Sequence, residues 1–187
     1  MRQSSIREVM KLIVGLLLLL IVEAAPCQAP SPVPHLDMKQ YVGQWYEVAR
    51  YSDKSEKHCV GDAIVLYALG DKPGRFEVVT SCRMKDGVRD IHNKDGKAQD
   101  TSGGGALKLA SLWPFWTKYW VLALDPGYQW ALVGTPNHKN LWILSKTETL
   151  SPETLTDIEA KASAQGFNVA KMSIPPQTNI VGAKSVK

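Results

Sequence analysis

The chain has 187 residues, 44% of them hydrophobic, and a formal net charge of +4, which points to one compact domain with extras at its ends and away from a disordered or fibrous protein. Basic residues are interspersed with acidic ones, as in Lys94-Asp95 and Lys97 near Asp100, and no basic stripe carries aromatics at a regular spacing. That pattern argues against nucleic acid as a partner and reads as ordinary surface solvation.

At the start of the chain, Arg2, Arg7 and Lys11 precede an uninterrupted hydrocarbon run over residues 12–22, which ends at Glu23-Ala24-Ala25. This is the pattern of a secretory signal peptide, assigned to residues 1–26. The apolar run rises only about 17 Å against a hydrocarbon core of about 30 Å, so a permanent transmembrane helix is the weaker reading. Cys27 lies where bacterial lipoproteins carry the cysteine that is cleaved at and acylated, although Pro26 stands where a small residue normally precedes it. Ordinary cleavage after Ala24, with Val22 and Ala24 as the small residues, competes with that reading. Of the three cysteines, a Cys59 to Cys82 pair in an oxidising envelope leaves Cys27 over, and acylation would occupy it. Residues 27–36 are proline-rich and favour extended backbone, which suits a tether between an anchor and a globular body.

The body that follows is a series of short apolar or alternating segments separated by turn residues about every 8 to 12 positions, the signature of an antiparallel barrel or sandwich. Strands are predicted at 45–51, 63–69, 75–82, weakly at 88–98, then at 106–112, 119–125, 129–134 and 140–145. Gly70, Pro73 and Gly74, Gly103 to Gly105, Pro126-Gly127 and Pro136-Asn137 supply the turns. The glycine run at 103–105 lacks the Gly-Lys-Ser/Thr of a phosphate loop and reads as a hairpin turn. One helix is predicted from the cap Ser151, with Pro152 at its first position and Glu153 at the positive end of its dipole, to about Gly166. Leu155, Ile158 and Ala162 share one face, a narrow stripe for docking outside the sheet.

Tyr41-Val42-Gly43-Gln44-Trp45-Tyr46 resembles the Gly-x-Trp signature of the lipocalin family, in the form carried by bacterial outer-membrane and apolipoprotein D-like members. The second family motif is matched by Ala123-Leu124-Asp125 with Tyr128, and the third by Leu141-Trp142-Ile143-Leu144-Ser145-Lys146. Two departures stand out. Lys146 occupies the place of an arginine that packs over the tryptophan, and Pro126-Gly127 loosens the second motif. The resemblance implies an all-β fold, an eight-stranded antiparallel up-and-down lipocalin barrel with one C-terminal α-helix packed outside. It places the lipocalin domain at 37–178 and a C-terminal tail at 179–187. Gly43, Trp45, Asp125, Tyr128 and Lys146 are then structural motif residues, with Trp45 plugging the narrow end.

A barrel of about eight strands can hold one small ligand, and alternate residues point inward. Counted from Trp45 and carried across by the resemblance, the lining is Glu47 and Ala49, then Val65 and Tyr67, then Phe76, Val78 and Thr80, then Leu107 and Leu109. Tyr119, Val121 and Ala123 follow, then Ala131 and Val133, and finally Trp142 and Leu144. Glu47 is the inward charge, either a buried structural carboxylate with Tyr67 and Tyr119 as partners or a contact to a ligand head group. Trp113, Phe115 and Trp116 should lie in a loop at the open mouth, as a lid, as a contact to the bilayer interface, or folded onto their own core. Cys59 and Cys82 share the inward parity of neighbouring strands. Simple hairpin register sets Cys82 opposite Asp62, so the chain before Asp62 has to curl back to bridge them.

The implied function is binding, storage or transport of a small hydrophobic ligand, a fatty acid or lysophospholipid, in the cell envelope. The protein would be lipid-anchored at the outer membrane or, alternatively, soluble in the periplasm. Its partners are that ligand and a membrane, reached through an acylated N-terminus and the Trp113 to Trp116 segment. His35, His58, His92 and His138 are scattered without metal-ligand spacing, and no Gly-x-Ser-x-Gly elbow occurs, so neither catalysis, a cofactor nor a metal is expected. Two further readings stay open: a noncatalytic envelope interaction protein, and a thiol-dependent isomerase of the lipocalin type that would need Cys59 or Cys82 reduced.

Overall fold

The computed structural model describes residues 29–51, 58–98, 103–112 and 114–178. The proposed leader, Cys27 and the proposed tail at 179–187 lie outside them. A short helix α1 (Met38–Tyr41) leads into β1 (Gly43–Tyr51), β2 (Cys59–Leu69), β3 (Arg75–Met84), β4 (Arg89–Ala98), β5 (Ala106–Leu112), β6 (Phe115–Leu124), β7 (Trp130–Gly134) and β8 (Leu141–Ser145). Helix α2 (Pro152–Ala164), a 3₁₀ turn (Val169–Lys171) and the two-residue β9 (Met172–Ser173) follow. Each strand from β1 to β8 pairs antiparallel with the next, and β1 also pairs with β8, which closes the sheet into the expected barrel. The addition is β9, which pairs with the far end of β1.

Alternation drives this closure, because inward and outward faces enter two different cores. The inner core holds Trp45, Val65, Tyr67, Phe76, Val78, Leu107, Val121, Ala131, Val133 and Leu144. The outer one holds Val48, Leu132, Ile143 and Phe167 against Ile158 and Ala162 of α2. Helix α2 starts as its sequence dictates: the Ser151 hydroxyl oxygen accepts from the Thr154 N–H at 3.2 Å, and Gly166, just past the end, takes a left-handed φ of +82°.

Strict alternation fails at two bulges. In β1 the register slips between Glu47, opposite Leu144, and Ala49, opposite Ile143. An inserted residue reverses the phase. Ala49 therefore joins the outer core and Arg50 turns to the lumen, which corrects the inward assignment of Ala49. The same slip in β6, between Val121 and Ala123, sends Ala123 to the outer core as well.

The lower half of β1, from Gly43 to Tyr46, pairs with β2, whereas Arg50 and Tyr51 pair with β9. The C-terminal strap thus fills the gap that opens between β1 and β2. Pro176 accepts from the Asp62 N–H at 2.9 Å, and the Gln177 side-chain amide donates to the Glu47 carbonyl at 3.0 Å. Gly61 is needed for this approach, since a Cβ there would lie 2.5 Å from the Pro176 carbonyl oxygen.

The proline-rich segment is docked over its last part. Val33 donates to the Val121 carbonyl and accepts from Gly105, both at 2.8 Å, Leu36 donates to Gly103 at 2.6 Å, and the Leu36 side chain is buried beneath the barrel.

Candidate functional site

The two ends of the barrel differ in chemistry. At the end where β1 begins, the Trp45 indole N–H donates to the Tyr41 carbonyl at 2.8 Å. The Lys146 ammonium sits 3.9 Å from the Trp45 ring centroid and donates to the Val42 carbonyl at 3.1 Å. Gly43 is required here by its backbone, which turns into β1 with a φ of +98°, since a Cβ would meet the Lys146 nitrogen only in ordinary contact at 3.6 Å. Asp125 accepts the N–H groups of Gly127 and Gln129 at 2.9 and 3.1 Å, and the Tyr128 hydroxyl accepts from the Asp37 N–H at 3.0 Å. The five motif residues named from sequence therefore build a sealed base. Lys146 supplies a cation and one directed hydrogen bond there in place of a planar fork.

At the opposite end the barrel opens into a cavity of about 580 Å³. Its apolar wall is Val65, Val78, Leu109, Trp142 and Leu144, with Ala63 and Ile64 beside them. Tyr119 lines the bottom and its hydroxyl meets that of Tyr67 at 2.6 Å. Burial, then the adjacent Tyr119, hold the Tyr67 phenol well above the usual tyrosine range. Below this floor the space is filled. Phe76 lies flat against Gly96, where a Cβ would come within 2.1 Å of the ring, and Tyr67, Leu107, Val121, Ala131 and Val133 pack as core.

Of the lining inferred from sequence, Glu47, Val65, Val78, Leu109, Tyr119, Trp142 and Leu144, with Thr80, face the cavity. Tyr67, Phe76, Leu107, Val121, Ala131 and Val133 point inward but fill the base. Ala49 faces outward. The parity argument found the phase of each strand correctly wherever no bulge intervened, but parity carries no information about height along the axis.

The rim is polar, and most of it was not anticipated. The Glu47 carboxylate pairs with Arg50 at 2.8 Å, both nearly buried, and Arg50 also donates to the Cys59 carbonyl at 2.9 Å. The bulge that displaced Ala49 is what brings Arg50 inward, three residues from its partner. Around the mouth stand His58, Asp90, His92, Lys94, Thr117, Lys118, Thr135 and Asn140. The weak apolar signal of β4 was the available clue, since its inward residues Asp90, His92 and Lys94 face a wet rim.

Cys59 and Cys82 are joined in a disulfide with a Cα separation of 5.5 Å. The expected curl is visible as two register slips in β2, between Cys59 and Gly61 and between Gly61 and Ile64. Trp113 lies outside the described residues; β5 ends at Leu112 and β6 begins at Phe115, which pairs with Leu112, so Phe115 and Trp116 lie on a strand and not in a long loop. Phe115 is 73% exposed, and Trp116 is covered from outside by Lys97 and Arg75, whose cations lie 4.1 and 5.4 Å from its ring centroid. Neither aromatic covers the cavity.

A family model described as a lipocalin-like domain matches residues 36–177. The chain belongs to the lipocalin family. This lipocalin is 35% identical over 153 residues to the outer membrane lipoprotein Blc of Escherichia coli K12, covering 78% of this chain and 85% of the relative. It is 30% identical over 154 residues to temperature-induced lipocalin-1 of Arabidopsis thaliana, covering 79% and 82%. Apolipoprotein D of Mus musculus is 29% identical over 164 residues, covering 82% and 83%. Among solved structures, insecticyanin of the tobacco hornworm superposes with a TM-score of 0.63 at 21% identity over 80% of this lipocalin and 85% of that chain, a likeness of fold. Among the described residues no helix is long and apolar enough to cross a membrane.

Proposed function

We propose that this lipocalin binds one single-chain amphiphile, a fatty acid or lysophospholipid, and stores or carries it in the cell envelope. The observation that supports this most directly is the cavity itself. Its volume of about 580 Å³ falls within the range of small-molecule sites, roughly 300 to 1,000 Å³. Its apolar wall descends to the hydrogen-bonded pair Tyr67 and Tyr119, and its charged groups stand around the mouth. Each sheathed methylene contributes about 0.8 kcal/mol, so about ten of them gain ~8 kcal/mol, the free energy of a micromolar Kd before ordering costs are subtracted. Arg50 and Lys94 at the rim suit a carboxylate or phosphate head group, and the Glu47–Arg50 pair holds the guanidinium at the wall.

The membrane is the second partner in this reading, reached through an acylated Cys27. The exposed Phe115, beside a Trp116 that carries two cations, supplies a weaker second contact. Relatives named outer membrane lipoproteins support that location. The thiol-dependent alternative requires a reduced Cys59 or Cys82, and the two are bonded to each other.

Trp142 in the wall gives the test an intrinsic reporter. Titration with a brominated fatty acid and a brominated lysophospholipid should quench tryptophan emission saturably at about one ligand per chain. Natural oleate should reverse the quenching by competition. Absence of saturable binding to every amphiphile tried would overturn the proposal and favour an interaction role for the barrel surface.

A further inference from the structure

The geometry points to a binding site for a divalent first-row transition metal, with Zn²⁺ as the best fit, built from His58, Asp90 and His92 at the rim of the cavity. Three elements contribute to it. On β4, Asp90 and His92 are two apart and so share a face, and register with β3 sets Asp90 opposite Cys82 and His92 opposite Thr80. Thr80 and Cys82 line the cavity, so Asp90 and His92 do too. His58 immediately precedes Cys59, and the Cys59–Cys82 disulfide pins it beside the pair of strands that carry Cys82 and Asp90.

Both histidines meet the same carboxylate oxygen. Asp90 Oδ2 lies 2.5 Å from His58 Nε2 and 2.9 Å from His92 Nε2. A carboxylate oxygen can only accept, so each ring presents Nε2–H to it.

One metal ion can take the place of the two N–H···O bonds: each imidazole then carries its proton on Nδ1, and a second proton, where the ring is charged, is released to water, so that the Nε2 lone pair faces the ion. Tetrahedral ligands at about 2.0 to 2.1 Å from zinc stand ~3.3 Å apart, so each histidine nitrogen has to move away from Asp90 Oδ2 by less than about 1 Å. The freedom to do so exists, since the side chains of His58 and His92 are 44% and 60% exposed. Two imidazole nitrogens and one carboxylate suit Zn²⁺, Cu²⁺ or Ni²⁺ over the hard cations Ca²⁺ and Mg²⁺, which prefer oxygen.

The sulfurs of Cys59 and Cys82 belong to the same cluster, with the donor atoms of His58, Cys59, Cys82 and Asp90 all within 4.8 Å of one another. In the disulfide they are bonded to each other and are not thiolate ligands. The site is therefore two histidines and a carboxylate, with its remaining coordination positions open to water at the mouth. It does not depend on what fills the cavity.

The test uses the tag-free chain with its disulfide intact and Zn²⁺ alone, followed by calorimetry. One equivalent should bind, and His58→Gln, His92→Gln and Asp90→Asn should each weaken binding at least about tenfold, since even outer-shell changes cost 10- to 100-fold. His138→Gln, whose ring hydrogen-bonds to the Gln165 carbonyl at 3.0 Å well away from this cluster, should change nothing. Cu²⁺ should give an electron paramagnetic resonance spectrum with two coordinated nitrogens. No uptake of Zn²⁺, or uptake that survives His92→Gln and Asp90→Asn in folded protein, would overturn the assignment. Uptake lost only on reducing the disulfide would overturn it too.

Discussion

At the residue scale the base of the barrel turns on Lys146. It stands over the Trp45 ring at 3.9 Å and donates to the Val42 carbonyl, and burial lowers its pKa from the usual lysine value. Lysine can do half of what the family's arginine does there: it offers the cation and the methylene stem but not the planar, weakly hydrated fork. Losing a partly desolvated cation–π contact together with a hydrogen bond costs about 1 to 2 kcal/mol. Lys146→Ala should therefore lower the unfolding free energy by that amount, read as a lower urea midpoint at unchanged slope, while Lys146→Arg should match or exceed the wild type. An alanine variant as stable as the parent would mean that Trp45 seals the base unaided. This part of the molecule was legible in the sequence because Gly43, Trp45 and Lys146 fall in segments that resemble the lipocalin motifs. The functional rim was not: His58, Asp90 and His92 meet only through the register of β3 and β4 and a disulfide, and spacing along the chain encodes none of these.

At the scale of elements, strands and α2 could be read from alternation and capping, whereas the strap at 172–178 could not. Ile174-Pro175-Pro176-Gln177-Thr178 carries no period, and its place follows from the gap between β1 and β2 that the β1 bulge helps to open. The bulges escaped for a related reason, since a period of two has no way to announce an inserted residue. What holds the strap is Asp62, itself in a left-handed conformation with φ of +51°. Its carboxylate accepts from the Thr178 N–H at 2.5 Å and from Arg83 Nε at 2.6 Å. Burial pushes this carboxyl up, but the Thr178 and Arg83 bonds outweigh it and leave the pKa below normal. With the folded pKa depressed, the unfolded chain binds the proton more tightly. The clamp therefore stabilises the fold fully above the unfolded value of about 3.9, and its contribution is lost as pH falls through the folded pKa. Asp62→Asn should cost about 1 to 3 kcal/mol at neutral pH, and its urea midpoint should converge on that of the wild type in acid. A gap that stays constant from neutral to strongly acidic pH would assign the cost to packing and not to charge.

Across the whole molecule the two ends differ in chemistry, and under the proposed acylation of Cys27 the path of the chain would set how they face a membrane. The segment that enters the barrel is bound beneath its base from Val33 onward, where Val33, Leu36, Gly103, Gly105 and Val121 exchange backbone hydrogen bonds. Only a few residues separate Cys27 from Val33, and at about 3.3 to 3.6 Å per residue they reach ~20 Å at full extension. With Cys27 acylated, as proposed above, the sealed base lies close to the bilayer and the mouth, with its rim of Arg50, His92 and Lys94, opens on the far side. Such a geometry suits a carrier that receives ligand from the aqueous phase or a facing membrane better than one that extracts it from its own leaflet. In a host that processes the leader, Cys27→Ser should move the protein from the membrane to the soluble envelope fraction and leave its affinity for brominated fatty acid unchanged. Phe115→Ser should leave it membrane-bound, because one exposed aromatic contributes far less than an acyl chain. Retention of the Cys27→Ser protein in the membrane fraction would transfer the anchoring role to Phe115 and Trp116 at the start of β6, and the mouth would then face the bilayer.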